Sequence, residues 1–345
     1  MSTAMQNRVV VRAASLVVLT LLPLSVLAQA DATFTDLSTD SPVLPAVRYL
    51  AEKGLIQSAP LFRPDDKVTR AQVAKILTVP LVDAEQLRLI TASSFADVPA
   101  GEWFVPYVEA ARALGIVDSA PTFNPNGSVT KAAFLKMLFK SKKLGFSEAF
   151  GDLASPLGSD AQNTGDWTFP VMRFALASSV TAVNKDGTLG TGQEITRGQM
   201  AVLYYRLEMY LQGRRTQALL SQAETDIGNV LQLLNVQDMS QAQWAAARSV
   251  LATRGALASR PNEPLVKGAV KVSEGFRSLV AGYKAGIAGD YDAAIAAAKE
   301  AYALAVKAHE FAPGLSPIVT QMQGIAKNMA DDAREMKAQA AATVK

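Results

Sequence analysis

Apolar residues recur at helical spacing along most of the chain, in two distinct styles. Between Phe34 and Leu207 the periodic stretches are short and paired; beyond Leu207 they are long and rich in Ala. Val47, Leu50, Ala51 and Leu55 outline one short helix, Val105, Val108, Ala111 and Leu114 a second, and Val171, Phe174, Ala175 and Ala177 a third. Each is preceded by an aromatic residue, a spacer, Asp and an aliphatic: Phe34-Thr35-Asp36-Leu37, Phe95-Ala96-Asp97-Val98 and Phe150-Gly151-Asp152-Leu153. Each is followed by a loop. In the first two cases it holds Phe62-Arg63-Pro64 and Phe123-Asn124-Pro125, in the third a Gly-rich run from Gly187 to Gly192. An aliphatic residue, Thr and a basic residue then open a second helix, at Val68-Thr69-Arg70, Val129-Thr130-Lys131 and Ile195-Thr196-Arg197.

This is an internal repeat. The aspartates stand 61 and 55 residues apart and the threonines 61 and 66. Each unit reads as a strand-like entry, a helix, a loop and a helix. One hairpin of ~45 residues buries too little apolar surface to stand alone, so the units are expected to share one core in a pseudo-threefold module. The expected boundaries are 31–94, 95–149 and 150–210, with a polar surface insertion between Ala154 and Asp166.

These residues resemble the S-layer homology family, whose repeats carry Phe-x-Asp-Val near the start, Trp and Ala in the first helix, Gly-Ile-Ile near its end, Phe-x-Pro in the loop and Thr-Arg-Ala-Glu opening the second helix. The middle unit carries the resemblance best, through Phe95, Asp97, Val98, Trp103, Gly115-Ile116-Val117, Phe123, Pro125 and Thr130. The likeness covers about residues 34–207. It implies a module that docks onto cell-wall polysaccharide, often a pyruvylated secondary polymer, or onto a peptidoglycan-linked polymer, and so holds a surface protein in place. There are departures. The family's Glu is Gln72 and Gln199 here and Ala133 in the middle unit, where Lys131 also replaces Arg. The first unit lacks the Trp and the third lacks Phe-x-Pro, so one or two of the three grooves are expected to be silent.

The Thr-basic pair has a physical reading of its own. Thr69, Thr130 and Thr196 suit a helix N-cap, and Gln72 and Gln199 complete capping boxes. Amides left over at a helix start, with its dipole, favour a negative group. Arg70 and Arg197 would add a planar fork matched to a carboxylate, and Lys131 a point charge. One such tip supplies at most about 4–5 kcal/mol, near millimolar affinity, so useful anchoring asks for several on one polymer. Trp103 and Trp167 read either as core staples or as faces on which a sugar ring stacks. Asp36, Asp97 and Asp152 read either as turn caps or as acceptors for sugar hydroxyls.

The second half, 211–345, reads as an antiparallel helix bundle. Leu220, Ala223, Ile227, Val230 and Leu234 follow helical spacing, and the last repeat's helix is expected to run on into them. Further helices are expected over about 238–259, 265–288 and 291–312, then a last one with Met322, Ile325, Met329 and Met336 on one stripe. Pro261, Pro264, Pro313 and Pro317 punctuate them. Gly289-Asp290-Tyr291 resembles the inside of a tetratricopeptide hairpin, but one hairpin makes no repeat array. The fold class expected is therefore mainly α: repeats in a pseudo-threefold module, then a helical bundle.

Composition narrows the chemistry. The chain has no Cys and one His, His309, which excludes disulfides, thiolate chemistry and a multi-histidine zinc site. No nucleophile elbow, phosphate loop or dinucleotide fingerprint is present, so no enzyme and no cofactor are expected. A net charge of +3 on 345 residues offers little to a polyanion, so nucleic acid is not an expected partner. Arg8 and Arg12, an apolar run from Ala13 to Ala28 and Ala28-Gln29-Ala30 read as an export signal, residues 1–30, cleaved after Ala30. The mature chain is expected to cross no membrane and to sit in the cell envelope or at the cell surface. A rival reading keeps the fold but makes the protein an adaptor that binds another envelope protein through 211–345, without carbohydrate.

Overall fold

The computed structural model describes residues 34–57 and 59–343. The expected export signal and its cleavage point lie outside the described residues. Among them the fold is helical throughout, without a sheet.

The first half is a closed ring of helix pairs. The first unit contributes α1 (Leu44–Glu52) and α2 (Arg70–Thr78), with a short α3 (Ala84–Arg88) after it. The second contributes α4 (Val105–Ala113) and α5 (Lys131–Ser141), the third α6 (Thr168–Ala177) and α7 (Arg197–Leu211). The second helix of each unit packs on the first helix of the next: α2 on α4, α5 on α6, and α7 back on α1. Phe62, Phe134, Phe139 and Phe169 are fully buried where these faces meet. The segments before the second helices pair only through isolated bridges, Thr69 with Ser128, Thr130 with Glu194 and Lys67 with Thr196. They too run around the ring. The strand-like entries expected at each Phe-x-Asp are turns instead.

The second half stacks five helices: α8 (Thr216–Asn235), α9 (Met239–Ser259), α10 (Pro264–Ile287), α11 (Tyr291–Phe311) and α12 (Ser316–Thr343). Each packs on its sequence neighbour. The expected run-on from the third unit does not occur. Gly213 adopts φ +69° directly after α7, closing that helix and turning the chain into α8. Packing in the bundle is set by small residues. Gly275 and Gly282 on α10 let α12 approach, since added β-carbons would overlap Met322 and Met329; Gly268, seven residues earlier, makes the same room for Leu315 in the turn before α12. Ala294, Ala298, Ala301, Ala305 and Ala308 line the buried face of α11.

The two halves are one packed body. Val250, Leu251, Ala252 and Ala256 of α9 belong to the core of the repeat module, and α9 lies on α6. At Gly255 the helices come so close that a β-carbon would lie 2.6 Å from the Ala177 carbonyl carbon. Arg254 bridges Asp152 of the third unit and Glu274 of α10. Among the described residues no helix is long and apolar enough to cross a membrane.

Candidate functional site

Each second helix begins where expected, and for the expected reason. The hydroxyls of Thr69, Thr130 and Thr196 accept from the amides of Gln72, Ala133 and Gln199. Gln72 and Gln199 reach back to the Thr69 and Thr196 amides, closing two capping boxes. The middle unit, with Ala133, has the cap but no box.

The amides beyond the cap are not available to a ligand. Arg70 and Ala71 donate to the carbonyls of Gly127 and Pro125 in the next unit. Lys131 and Ala132 donate to Gln193 and Thr191, and Arg197 and Gly198 to Asp66 and Pro64. Ring closure thus consumes the helix tips, and the expectation that they cradle an anion is corrected. A free helix start leaves N–H groups open, but here the neighbouring loop fills that position.

The basic side chains play a double part. Arg197 donates from Nε to the Phe62 carbonyl at 2.9 Å and lays its guanidinium 4.9 Å from the Phe62 ring centre. Arg70 does the same to Phe123, at 2.8 Å and 4.8 Å. Lys131 reaches the Leu189 carbonyl, at 2.7 Å, and among the described residues no ring lies beneath it. Each latch crosses to another unit. The terminal nitrogens of Arg70 and Arg197 carry no hydrogen bond to protein among the described residues, so the fork's outer edge remains open.

The loops gripped in this way are shaped by aspartate. Asp36 accepts from the amides of Phe62 and Arg63, at 2.8 and 2.6 Å, and Asp97 from those of Phe123 and Asn124, both at 2.7 Å. Arg63 and Asn124 sit at φ +60° and +59°, which turns consecutive amides inward to one carboxylate. Burial raises the pKa of each Asp, but the amide donors and the neighbouring arginine outweigh it and hold both below the usual carboxylate value. In the third unit this work falls to Asp160, which accepts from Leu189 and Thr191 with Gly190 at φ +66°. Asp152 is elsewhere, on Arg254 at the junction of the halves. Phe150-Gly151-Asp152 imitates the motif in sequence, whereas Asp160 lacks the aromatic partner that would mark it.

Grooves open after the first helices of the first and third units, and they are unequal. The first has a volume of about 610 Å³. Its walls are the Gly54-Leu55-Ile56-Gln57 turn, Gln72 and Lys75 of α2, Trp103 and Tyr107 at the start of the next unit, and Arg197 from the third. Trp103 is 51% exposed, so it is no core staple. Lys75 Nζ lies 5.6 Å from the Trp103 ring centre and 5.4 Å from that of Tyr107. Among the described residues no carboxylate pairs with Lys75.

At the matching position after the second unit's first helix Trp167 is also 51% exposed, and Lys136 lies 5.3 Å from its ring centre. Here Asp118 takes up both nearby cations, Lys136 at 3.1 Å and Lys140 at 2.6 Å. The matching position of the first groove is Gln57, which is neutral. The third groove, about 260 Å³ beside Lys131, is lined by Val43 and by Val202, which stands five residues after Arg197 where the other two units have lysine. Lys75, Lys136 and Asp160 escaped the sequence reading. The lysines stand five residues after Arg70 and Lys131, a spacing visible once the two units are aligned.

The model of the S-layer homology domain matches residues 33–74, 94–135 and 159–201. The chain carries three S-layer homology domains. The third match begins at 159, beside Asp160 and past Asp152. An amylopullulanase of Thermoanaerobacterium thermosulfurigenes is 23% identical over 181 residues, 51% of this chain and 10% of that protein. An endoglucanase of Bacillus sp. (strain KSM-635) is 29% identical over 123 residues, 35% of this chain and 12% of that one. Exoglucanase XynX of Acetivibrio thermocellus is 23% identical over 179 residues, covering 51% of this chain and 16% of its own. The chain thus spans between a tenth and a sixth of these curated relatives, and the likeness lies in the S-layer homology region.

Proposed function

We propose that the protein is held non-covalently on a cell-wall polymer by its S-layer homology domains, and that the first groove carries most of the affinity. The observation behind this reading is the first groove itself. It joins an exposed indole face, an ammonium with no protein carboxylate, and the outer edge of a guanidinium. A sugar ring stacks on Trp103 while an acidic substituent lies between Lys75 and Arg197. The chemistry asks for an anionic saccharide, such as a ketal carboxylate on a secondary wall polymer. Binding is the whole activity in this reading, and the helical half is the body displayed. The relatives' names describe carbohydrate-acting enzymes, and the shared segment is a binding module common to proteins of different catalytic names.

The test is co-sedimentation of the full chain with purified wall sacculi, before and after the acidic polymer is stripped. Each charged contact is worth about 1.5–3 kcal/mol, so Lys75→Gln is expected to weaken retention at least about tenfold. Lys131→Gln, in the third groove, is expected to leave retention unchanged. Undiminished retention of Lys75→Gln, or on stripped sacculi, would refute the reading. Raised salt should weaken binding by the wild type more than by Lys75→Gln.

A further inference from the structure

The first groove does not end at Arg197. A second hollow of about 510 Å³ adjoins it, walled by Pro60, Arg63, Asp66 and Lys67. Ala59, Leu61, Phe62, Gln72 and Arg197 line both, so the two form one trough with Arg197 common to its two parts. The Arg197 guanidinium is pinned through Nε to the Phe62 carbonyl and lies over the Phe62 ring, which leaves its terminal nitrogens open to the trough.

The basic loop belongs to the first unit alone. Pro64 and Asp66 accept from amides of α7, Pro125 and Gly127 from α2, and Thr191 and Gln193 from α5, which aligns the three loops residue by residue. On that alignment Arg63 and Lys67 correspond to Asn124 and Ser128 in the second unit and to Gly190 and Glu194 in the third. Arg63, Asn124 and Gly190 all adopt left-handed backbone, at φ +60°, +59° and +66°. Gly and Asn are the residues such a turn ordinarily takes, so the turn itself does not call for arginine. Arg63 and Lys67 are both exposed, and neither forms an ion pair among the described residues. Lys67 donates to the Glu194 carbonyl at 2.9 Å. Asp66 shares the wall and leaves the cations in excess.

We propose that this loop is a second oxyanion subsite, and that the trough holds two acid groups carried on one saccharide chain. The inference rests on the function proposed above. One acid group lies between Lys75 and Arg197, and the other meets Arg63 and Lys67. A ligand with a single acid group gains nothing from the second part of the trough, whereas a linked pair gains through effective concentration.

The test uses the full chain and the acidic polymer stripped from sacculi, partially hydrolysed and separated by anion exchange into fragments with one and with two acid groups. Each fragment competes with retention of the protein on sacculi. Exposed ion pairs are weak, so the two-acid fragment should bind the wild type about fivefold more tightly than the one-acid fragment, more than the factor of about two from offering two acid groups to one site. Arg63→Asn/Lys67→Ser gives the first loop the residues of the second and should melt as the wild type does. Its affinity for the one-acid fragment should be unchanged, and the gap between fragments should shrink to about twofold. Lys75→Gln should weaken both fragments. Lys299→Ser/Lys307→Ser removes the same charge from exposed positions on α11 and should leave the gap intact. A wild-type gap of about twofold or less, a gap kept by Arg63→Asn/Lys67→Ser, or one lost equally in Lys299→Ser/Lys307→Ser would overturn the second subsite. If Lys75→Gln still weakens both fragments, the first-groove reading survives that failure; if neither fragment competes for the wild type, both fall.

Discussion

Gly255→Ala sets two physical effects of opposite sign against each other. Gly255 lies inside α9, where Ala is the better helix former by about 1 kcal/mol, so local propensity alone makes the variant more stable. The junction says otherwise. A β-carbon there would sit 2.6 Å from the Ala177 carbonyl carbon and closer still to its oxygen, and backbone has no side-chain rotation with which to yield. To restore ordinary contact with that oxygen α9 must draw back from α6 by roughly 1.5–2 Å. A gap of even 0.5–1 Å already forfeits about a quarter to a half of each dispersion contact across it. Val250 and Leu251, both 0% exposed, then lose on the order of 1 kcal/mol each. Overpacking strain adds about 1–3 kcal/mol. The junction wins by about 2–4 kcal/mol, a fall of about 4–16 °C in melting temperature by the usual scaling for a domain of this size. Calorimetry of Gly255→Ala beside Gly324→Ala supplies the measurement. A β-carbon at Gly324 meets nothing within 4 Å, so that variant should be as stable as wild type or slightly more so. If Gly255→Ala melts with or above the control, α9 does not press on α6 as described, and the unity of the two halves fails with it.

Two further outcomes follow from the repeat module. Asp118→Asn frees Lys136 and Lys140 beside Trp167; because Asp118 is 67% exposed the pairing is weak, so wall binding should tighten by up to about fivefold, read by co-sedimentation at limiting protein. No gain would mean that Asp118 does not compete with the ligand. Asp36, Asp97 and Asp160 all titrate below the ordinary value of 3.8 when folded, so their stabilisation is complete above that pH and is lost as pH falls through the lowered values. Urea unfolding from pH 5 down to about pH 2.5 should show stability declining below pH ~4, with a shallower decline in Asp97→Asn. Equal slopes would remove Asp97 from the account.

Local chemistry made much of this protein legible in its residues. Thr followed by Gln three positions on caps a helix in any surroundings, and the Gly-Asp-Tyr turn at 289–291 and the prolines marked the bundle helices to within about a residue. Repetition of Phe-x-Asp and Thr-basic marks was enough to announce a shared core and its family. What those marks do could not be read, because their partners lie in other units. Thr-Arg looked like an open anion cradle until ring closure placed Pro64, Pro125 and Thr191 against the tips. Asp152 and Asp160 differ in the direction opposite to their motifs: the one in the better sequence match faces Arg254, and the one without an aromatic neighbour folds the loop. Spacing along a chain specifies which backbone groups a residue can reach within a turn or two, and that was enough for caps, turns and helices. A groove assembled from Lys75, Trp103 and Arg197 depends on how three separate units close into a ring, and only the packing of the whole molecule decides that.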